Sequence, residues 1–301
     1  MQHNLVFFGN ERLASGCTTT LPILNALLKS EVNIKLIIIS EKGTKSRNKR
    51  ELEVEEFSSK HGIELFIPKD TEELARKLFE TKAEVGVLAA YGKIISQEII
   101  NIFPKGIINL HPSLLPKYRG PTPIESAILN GDSKTGVSIM SLTAGMDSGP
   151  IYSQLELELT KKESKQDLAS RLGDLGATEI SKLLSEGVPK PKEQTGQPTI
   201  CPLMQRSDSI LDLSKPAEQL GREVRTYLGW PGSKLDLELK DGTKLTITVT
   251  QASISDEKHE DNPLSLQTSK GHFNIEKLKL PGRNEMTTKE FLNGYRSKLR
   301  I

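Results

Sequence analysis

Continuous apolar runs alternate with amphipathic segments through the first half of the chain. The apolar runs predict strands, and they lie at 4–9, 33–40, 63–68, 85–91 and 106–111. Between them, segments such as LPILNALLKS and EELARKLFE repeat apolar residues every three or four positions, as amphipathic helices do. Strands that are apolar throughout and are separated by helices are typical of a parallel sheet covered on both faces. The first half therefore predicts a Rossmann-like α/β domain with a parallel sheet.

The pattern changes after a long helical stretch at 165–187. Residues 189–202, PKPKEQTGQPTICP, contain four prolines and little apolar periodicity, as linkers do. Beyond one further helix, short alternating strands are separated by turns such as DG and SKG, which predicts a small antiparallel β-barrel of the OB-like type. We therefore expect a catalytic domain at 1–188, a linker at 189–206 and a β-barrel domain at 207–301.

The composition of the 301 residues is that of an ordinary folded protein, with 36% hydrophobic and 27% charged residues. No segment approaches the roughly 20 apolar residues that span a bilayer, and no signal-peptide core follows the first residues. Cys17 and Cys201 form no CxxC pair, which fits a reducing compartment. We expect a cytoplasmic protein without a membrane partner. A net charge of +2 is too small to imply nucleic acid by itself, so any basic surface must be local.

Two kinds of site are not expected. The chain has no GxGxxG after its first strand and no P-loop, so a Rossmann-like sheet is predicted without a bound dinucleotide. The five histidines never occur at ligand spacings such as HxxxH, and no metal is expected.

The strand at 106–111 ends unusually, in the polar residues Asn109 and His111. Side chains alternate along a strand, so both project to the same side, at the sheet edge where ligands of α/β folds bind. A histidine can take a proton near neutral pH, and an asparagine amide can donate to a developing oxyanion. The pair suits acyl transfer to an amine. The alternative is that both side chains only cap the strand end.

The loop after this strand leads into a helix that begins at TPIE, so we expect the loop to be ordered. Its Leu114 and Leu115 either cover a flat ligand or pack beneath the loop. Farther on, Asp147 lies between Gly145 and Gly149, in a loop that returns to the same sheet edge. Its carboxylate either orients the His111 ring and stabilises its cation or only forms a turn.

The segment NLHPSLLPKYRGPTPIESAILNGDSKTGVSIMSLTAGMDSGPI, residues 109–151, resembles the signature of the formyltetrahydrofolate-dependent formyltransferases. The resemblance implies that Asn109, His111 and Asp147 are catalytic and that 10-formyltetrahydrofolate is the formyl donor. The folate-contacting loop of that family corresponds to Ser113, Leu114, Leu115 and Pro116.

Further motifs resemble one branch of the family, the methionyl-tRNA formyltransferases. They are YRGPTPI (118–124), LAAYGKII (88–95), YLGWPGSKL (227–235) and KLPGRNEMTTKEFLNGYR (279–296). The resemblance covers essentially the whole chain and implies initiator methionyl-tRNA as the acceptor, bound in part by the C-terminal β-barrel. We expect the enzyme to be a monomer. The chain departs from the family pattern in GNERL (9–13), in SEKGTKSRNKREL (40–52) and at Pro112.

Residues 42–50, KGTKSRNKR, carry five basic side chains and no acidic one. The resemblance places the family's acceptor-stem loop here, which favours contact with RNA over simple pairing of Arg47 and Lys49 with Glu51 and Glu53. The residues from 270 onward add eight Lys and Arg against three Glu. Two other functions stay open at this point. One is formyl transfer to a small amine, such as an amino sugar nucleotide or glycinamide ribonucleotide, and the other is a noncatalytic RNA-binding relative.

Overall fold

The computed structural model describes residues 3–30, 32–40 and 52–300, and the chain divides into two compact units. Unit 1 draws on residues within 1–124, 133–159 and 166–202, and unit 2 on residues within 125–132, 160–165 and 203–301. Residues 189–202 therefore belong to unit 1.

Unit 1 is built on a seven-stranded sheet. Its strands are β1 (His3–Gly9), β2 (Val32–Ile38), β3 (Glu64–Phe66), β4 (Val85–Ala89), β5 (Ile107–His111), β6 (Lys134–Ser141) and β7 (Ile151–Glu158). The order is β3-β2-β1-β4-β5-β6-β7, and the first five strands in this order are parallel. The Rossmann-like parallel sheet predicted from the sequence is confirmed. Strands β6 and β7 extend it with antiparallel pairing.

The helices among the described residues are α1 (Pro22–Lys29), α2 (Glu53–His61), α3 (Thr71–Thr81), α4 (Gln97–Ile100), α5 (Pro123–Leu129), α6 (Lys165–Glu186), α7 (Ala217–Tyr227) and α8 (Thr288–Tyr295), and a 3₁₀ helix spans Arg206–Ser209. Of these, α1, α3 and α6 lie close to where the apolar periodicity predicts them. Each side chain from Leu5 to Phe8 in β1 is fully buried. Because neighbouring side chains of a strand face opposite ways, both faces of the sheet are covered here.

Unit 2 contains an antiparallel sheet of five strands that curls into a half-barrel. The strands are β8 (Ser233–Glu238), β9 (Lys244–Ser255), β10 (Ser265–Gln267), β11 (His272–Lys279) and β12 (Glu285–Thr287). Alternation is clear in β8, where buried and exposed residues follow one another strictly. The inward side chains of the sheet join α7 and α8 in one apolar core that includes Val224, Phe273 and Phe291. The predicted small antiparallel domain is confirmed.

The turn after β1 is pressed against the end of β4. Gly9 has φ +116°, and a Cβ atom there would lie 1.9 Å from the carbonyl oxygen of Ala89. Only glycine permits both this backbone conformation and this approach. The turn continues through Glu11, whose N–H donates to Ala89 O at 3.3 Å. The first loop of the chain is thereby fixed at the carboxyl edge of the sheet.

Glu11 caps a helix from outside that helix. Its two carboxylate oxygens accept the N–H groups of Ile23 and Leu24 at 2.8 Å each, in the first turn of α1, which has no acidic residue of its own. These N–H groups have no partner within the helix, and a carboxylate also complements the helix dipole. The residue is only 3% exposed. Burial raises the pKa of Glu11 to about 7, although the bonds from Ile23 and Leu24 lower it.

The burial of the Glu11 carboxyl should make the stability of the protein depend on pH. The folded-state pKa of Glu11 is raised, so its contribution to the free energy of unfolding is complete below pH 4.5 and is lost as the pH rises through about 7. Relative to Glu11→Gln, the wild-type free energy of unfolding should therefore fall by roughly 2–4 kcal/mol across this range. Urea titrations at several pH values measure it.

Glu98→Gln is the matched control, because Glu98 is an exposed glutamate in the first turn of α4. It measures the effect of losing one exposed carboxylate from the first turn of a helix. A stability difference between wild type and Glu11→Gln that does not change with pH would contradict the assignment of a raised pKa to Glu11.

No helix among residues 3–30, 32–40 and 52–300 is long and apolar enough to cross a membrane.

Candidate active site

Strand β5 brings Asn109 and His111 to the carboxyl edge of the sheet, as the sequence predicts. The strand lies between the parallel β4, where Asn109 pairs with Leu88, and the antiparallel β6, where His111 pairs with Ser138. Both polar side chains belong to buried residues, each 4% exposed. The site is therefore placed where the direction of the sheet's strands changes.

The His111 ring is held by one backbone carbonyl. Its Nε2 atom lies 2.8 Å from the carbonyl oxygen of Tyr118. A carbonyl oxygen can only accept, so Nε2 carries a hydrogen and donates it. In the neutral ring Nδ1 is then the unprotonated nitrogen. This Nδ1 atom lies 3.6 Å from Oδ2 of Asp147. A proton that arrives at Nδ1 forms an ion pair with that carboxylate.

The charge state of His111 follows from competing effects. Burial is the largest and lowers the pKa of His111, while the Asp147 carboxylate and the bond to Tyr118 O raise it. The net direction is downward from the usual value of 6.5. The ring is therefore neutral at physiological pH and can act as a base.

Asp147 lies in the loop between β6 and β7, in a left-handed backbone conformation with φ +43°. Its Oδ2 atom accepts the N–H of Gly120 at 2.8 Å. Two positions farther on, a Cβ atom at Gly149 would lie 1.9 Å from Ser141 O, so the loop can close this tightly only with glycine there. The structure thus brings Asp147 and His111 together from positions 36 residues apart in the chain.

The amide of Asn109 makes no hydrogen bond to any residue that the structure describes. An amide in a buried strand that is bonded to no described protein group is available to a bound molecule.

The loop at 113–116 is fixed by side chains that the sequence analysis missed. The Ser138 hydroxyl accepts the N–H of Leu115 at 3.0 Å and donates to Ser113 O at 2.6 Å. Gln154 Nε2 donates to Leu115 O at 2.8 Å and to the Ser138 hydroxyl at 2.9 Å. A serine in the apolar strand GVSIMS is the one signal that pointed to such a role.

Two residues of this loop are buried, Ser113 and Leu115, and two are partly exposed, Leu114 and Pro116. Leu114 packs closely on β6, since a Cβ atom at Gly136 would lie 2.6 Å from its Cδ2 atom. Within 113–116, Leu114 and Pro116 are therefore the residues that keep partial contact with solvent.

Two other sequence expectations concern ions and RNA. Among residues 3–30, 32–40 and 52–300, no group of three or more His, Cys, Asp or Glu side chains is arranged to hold a metal ion. The basic segment 42–50 lies outside the described residues.

Known proteins resemble this chain over both units. The family model described as formyl transferase matches residues 13–184, and the model described as formyl transferase, C-terminal domain, matches residues 203–296. A methionyl-tRNA formyltransferase of Thermodesulfovibrio yellowstonii is 31% identical over 311 aligned positions, which cover 98% of this chain and 96% of that protein. A methionyl-tRNA formyltransferase of Thermus thermophilus is 36% identical over 236 positions, covering 76% of this chain and 74% of that protein.

Among solved structures, HypX from Aquifex aeolicus in complex with tetrahydrofolic acid aligns with a TM-score of 0.66 and 15% identity. The alignment covers 98% of this chain and 48% of HypX, so the chain spans about half the length of that structure. At this identity the likeness concerns the fold alone. The two family models together cover most of the chain, and the methionyl-tRNA formyltransferase of T. yellowstonii is similar over nearly its full length. The chain belongs to the formyl transferase family.

Proposed function

We propose that this enzyme transfers the formyl group of 10-formyltetrahydrofolate to the amino group of methionine on initiator methionyl-tRNA. The observation that carries the proposal is the His111–Asp147 pair, two positions along β5 from Asn109, whose amide bonds no described residue, in a chain that matches both formyl transferase domains. The names of the relatives support methionyl-tRNA as the acceptor. We further propose that the protein is a cytoplasmic monomer and that residues 207–301 bind tRNA.

In the proposed reaction the methionyl nitrogen attacks the formyl carbon, and the bond from that carbon to N10 of the folate breaks. The amine must lose one proton, and N10 must gain one. His111 takes the proton at Nδ1, because its Nε2 is already bonded to Tyr118 O at 2.8 Å. The carboxylate of Asp147, 3.6 Å from Nδ1, stabilises the cation until the proton passes to N10.

Asn109 supplies the other half of the chemistry. As the amine attacks, the formyl oxygen gains negative charge, and an amide N–H aimed at it lowers the barrier. Asn109 suits this role because its amide bonds no described protein group and its strand fixes it beside His111. The donor would lie against 113–116, where Leu114 and Pro116 are partly exposed and Ser113 and Leu115 hold the loop in shape.

Two other functions compete with this proposal. One is formyl transfer to a small amine, and the other is a noncatalytic RNA-binding role. The match of residues 203–296 to the family's C-terminal domain favours the larger acceptor over the small one. The placement of His111 Nδ1 3.6 Å from Oδ2 of Asp147 favours catalysis. Transfer of labelled formyl to methionyl-tRNA, compared with transfer to glycinamide ribonucleotide and to an amino sugar nucleotide, decides among the three. Preference for either small amine, or no transfer at all, would overturn the proposal.

Loss of either central side chain should slow the reaction sharply. Asn109→Ala and His111→Ala should each lower kcat by roughly 100- to 1,000-fold, the cost of a lost oxyanion donor or base. His111→Ala combined with Asp147→Asn should cost far less than the product of the two single effects, because the two groups act as one unit. Asn101→Ala and His61→Ala, at exposed positions, are the controls and should retain full activity. Near wild-type rates for Asn109→Ala or His111→Ala rule out this mechanism.

The dependence of kcat on pH should reflect the protonation of His111. The pKa of His111 is lowered by burial, so the acid limb of kcat should lie below pH 6.5. The Asp147 carboxylate raises that pKa, so Asp147→Asn should move the limb to still lower pH. Asp174→Asn, at an exposed position of α6, should leave it in place. The methionyl amine must also be unprotonated, and an acid limb that Asp147→Asn does not move belongs to that amine instead of His111.

The basic segment 42–50 should contribute to tRNA binding. Phosphate contacts release counterions, so binding should weaken by roughly 0.7–0.9 log units per contact for each tenfold rise in salt. Changing Lys45, Arg47, Lys49 and Arg50 to serine should raise the KM for methionyl-tRNA and flatten this dependence, with little change in the KM for the folate. The control changes the four exposed lysines at 60, 69, 182 and 190 to serine, which removes the same number of positive charges. Equal salt slopes for the two quadruple variants would show that the segment does not contact tRNA.

A further inference from the structure

Residues 192–202, here called the strap, run along two loops of the active site. At the start of the strap, the backbones of Lys192 and Ile151 exchange hydrogen bonds of 2.7 and 2.8 Å, directly after the Asp147 loop. Near its end, the N–H of Cys201 donates to Arg119 O at 2.9 Å, on the loop that follows β5. A segment whose composition is typical of a linker is thus paired with both halves of the site.

Gln194 is the strap residue that reaches the catalytic loop. Its Nε2 atom donates to the carbonyl oxygens of Asp147 and Gly149 at 2.8 Å each. Its Oε1 atom accepts from the Arg119 guanidinium, from Nε at 3.1 Å and from Nη2 at 2.7 Å. A glutamine amide has two donor hydrogens and one oxygen that accepts two bonds. Every bonding position of Gln194 is therefore used.

Exposure separates Gln194 from its neighbours. Within residues 192–202, all of which the structure describes, only Gln194 and Cys201 have side chains that are not exposed. Gln197, three positions along, is exposed and makes no hydrogen bond to a described residue. Solvated glutamines are ordinary at a surface, whereas an amide with four protein bonds fixes whatever it touches.

Asp147 is held at both ends. Its backbone is left-handed, and Gln194 bonds its carbonyl. Its carboxylate accepts the N–H of Gly120, and Gly120 is itself pressed on the strap, since a Cβ atom there would lie 2.6 Å from Cys201 O. The strap therefore fixes the carboxylate through Gly120 and the main chain through Gln194.

We propose that Gln194 is a positioning residue for the His111–Asp147 pair. By tying the carbonyls of the Asp147 loop to Arg119, it sets the separation between the carboxylate and Nδ1 of His111. This inference rests on the proposed function, because it assigns a cause to the geometry that the proposed proton transfer uses. Gln194 touches neither reacting group, so its effect passes through Asp147.

Gln194→Met tests the proposal, because methionine has a similar length and no amide. A displacement of the carboxylate on the scale of 1 Å should lower kcat by roughly 10- to 100-fold. The KM for 10-formyltetrahydrofolate should not change. The His111 pKa, followed by NMR with the resonance assigned by comparison with His111→Gln, should fall, since less of the Asp147 field reaches the ring. Burial raises the pKa of Cys201, the other titratable group beside Asp147, so that thiol stays protonated through the titration. Gln197→Met is the matched control and should behave as wild type.

A double-mutant cycle separates positioning from general stability. In the Asp147→Asn background the further change Gln194→Met should cost less than about threefold in kcat, because the group that it positions no longer carries charge. Thermal melts confirm that each variant is folded. An equal cost in both backgrounds, or an unchanged His111 titration in Gln194→Met, overturns the positioning role and leaves the proposed mechanism standing. Normal activity of Asp147→Asn alone would instead contradict the mechanism itself.

Should Gln194→Met not fold, Gln194→Asn serves in the same cycle. Asparagine keeps the amide but is one methylene shorter, so it cannot bond Arg119 and the Asp147 loop together. We expect Gln194→Asn to have the same effects as Gln194→Met but smaller ones, with kcat reduced by at least about threefold in the wild-type background only. Wild-type kcat and an unmoved His111 titration in a folded Gln194→Asn would count against the proposal.

Discussion

The chemistry of this site depends on one hydrogen bond, from Nε2 of His111 to the carbonyl oxygen of Tyr118. Because a carbonyl cannot donate, this bond fixes which nitrogen of the ring is protonated and leaves Nδ1 to face Asp147. Tyr118 is itself held in a left-handed conformation, and its N–H donates to Thr199 Oγ1 at 2.8 Å. The orientation of the His111 ring is therefore set by the backbone carbonyl of Tyr118, which the Thr199 hydroxyl helps to hold in place, and it does not require the Asp147 carboxylate.

Burial lowers the pKa of His111 and the charge of Asp147 raises it, and the balance between these two effects explains why the site has both. Burial alone keeps the ring neutral and so preserves its capacity to accept a proton, but it also makes the protonated state costly. The carboxylate of Asp147 at 3.6 Å offsets that cost only after the proton has arrived. Asp147 accepts one backbone N–H, from Gly120, and its side chain keeps partial contact with solvent at 20% exposure. A buried imidazole beside a partly solvated carboxylate suits the reversible proton transfer that we propose for His111.

Local sequence patterns predicted the sheet and the positions of Asn109 and His111. Contacts between residues far apart in the sequence could not be predicted in this way. Apolar runs identified β1, β2, β4 and β5, and two-residue alternation placed Asn109 and His111 on one side of β5. Nothing near Glu11 indicates that it caps α1 twelve residues later, and nothing near Gln194 indicates its bonds to Asp147. Residues 189–202 lack apolar periodicity because the strap is held by its backbone and by the side chains of Gln194, Thr199 and Cys201, without an apolar face. Such contacts depend on the finished fold, which hydrophobic spacing does not encode.

The strap also has a consequence for how the enzyme matures during synthesis. Its contacts join Thr199 and Cys201 to the loop after β5 across 79 to 83 positions of sequence. The strands up to β7 can pair once they leave the ribosome, yet the Asp147 loop gains its bonds from Gln194, and the loop after β5 its bonds from Thr199 and Cys201, only after those residues have emerged. The nascent chain therefore passes through an interval in which the sheet is built and the geometry of His111 and Asp147 is not yet fixed.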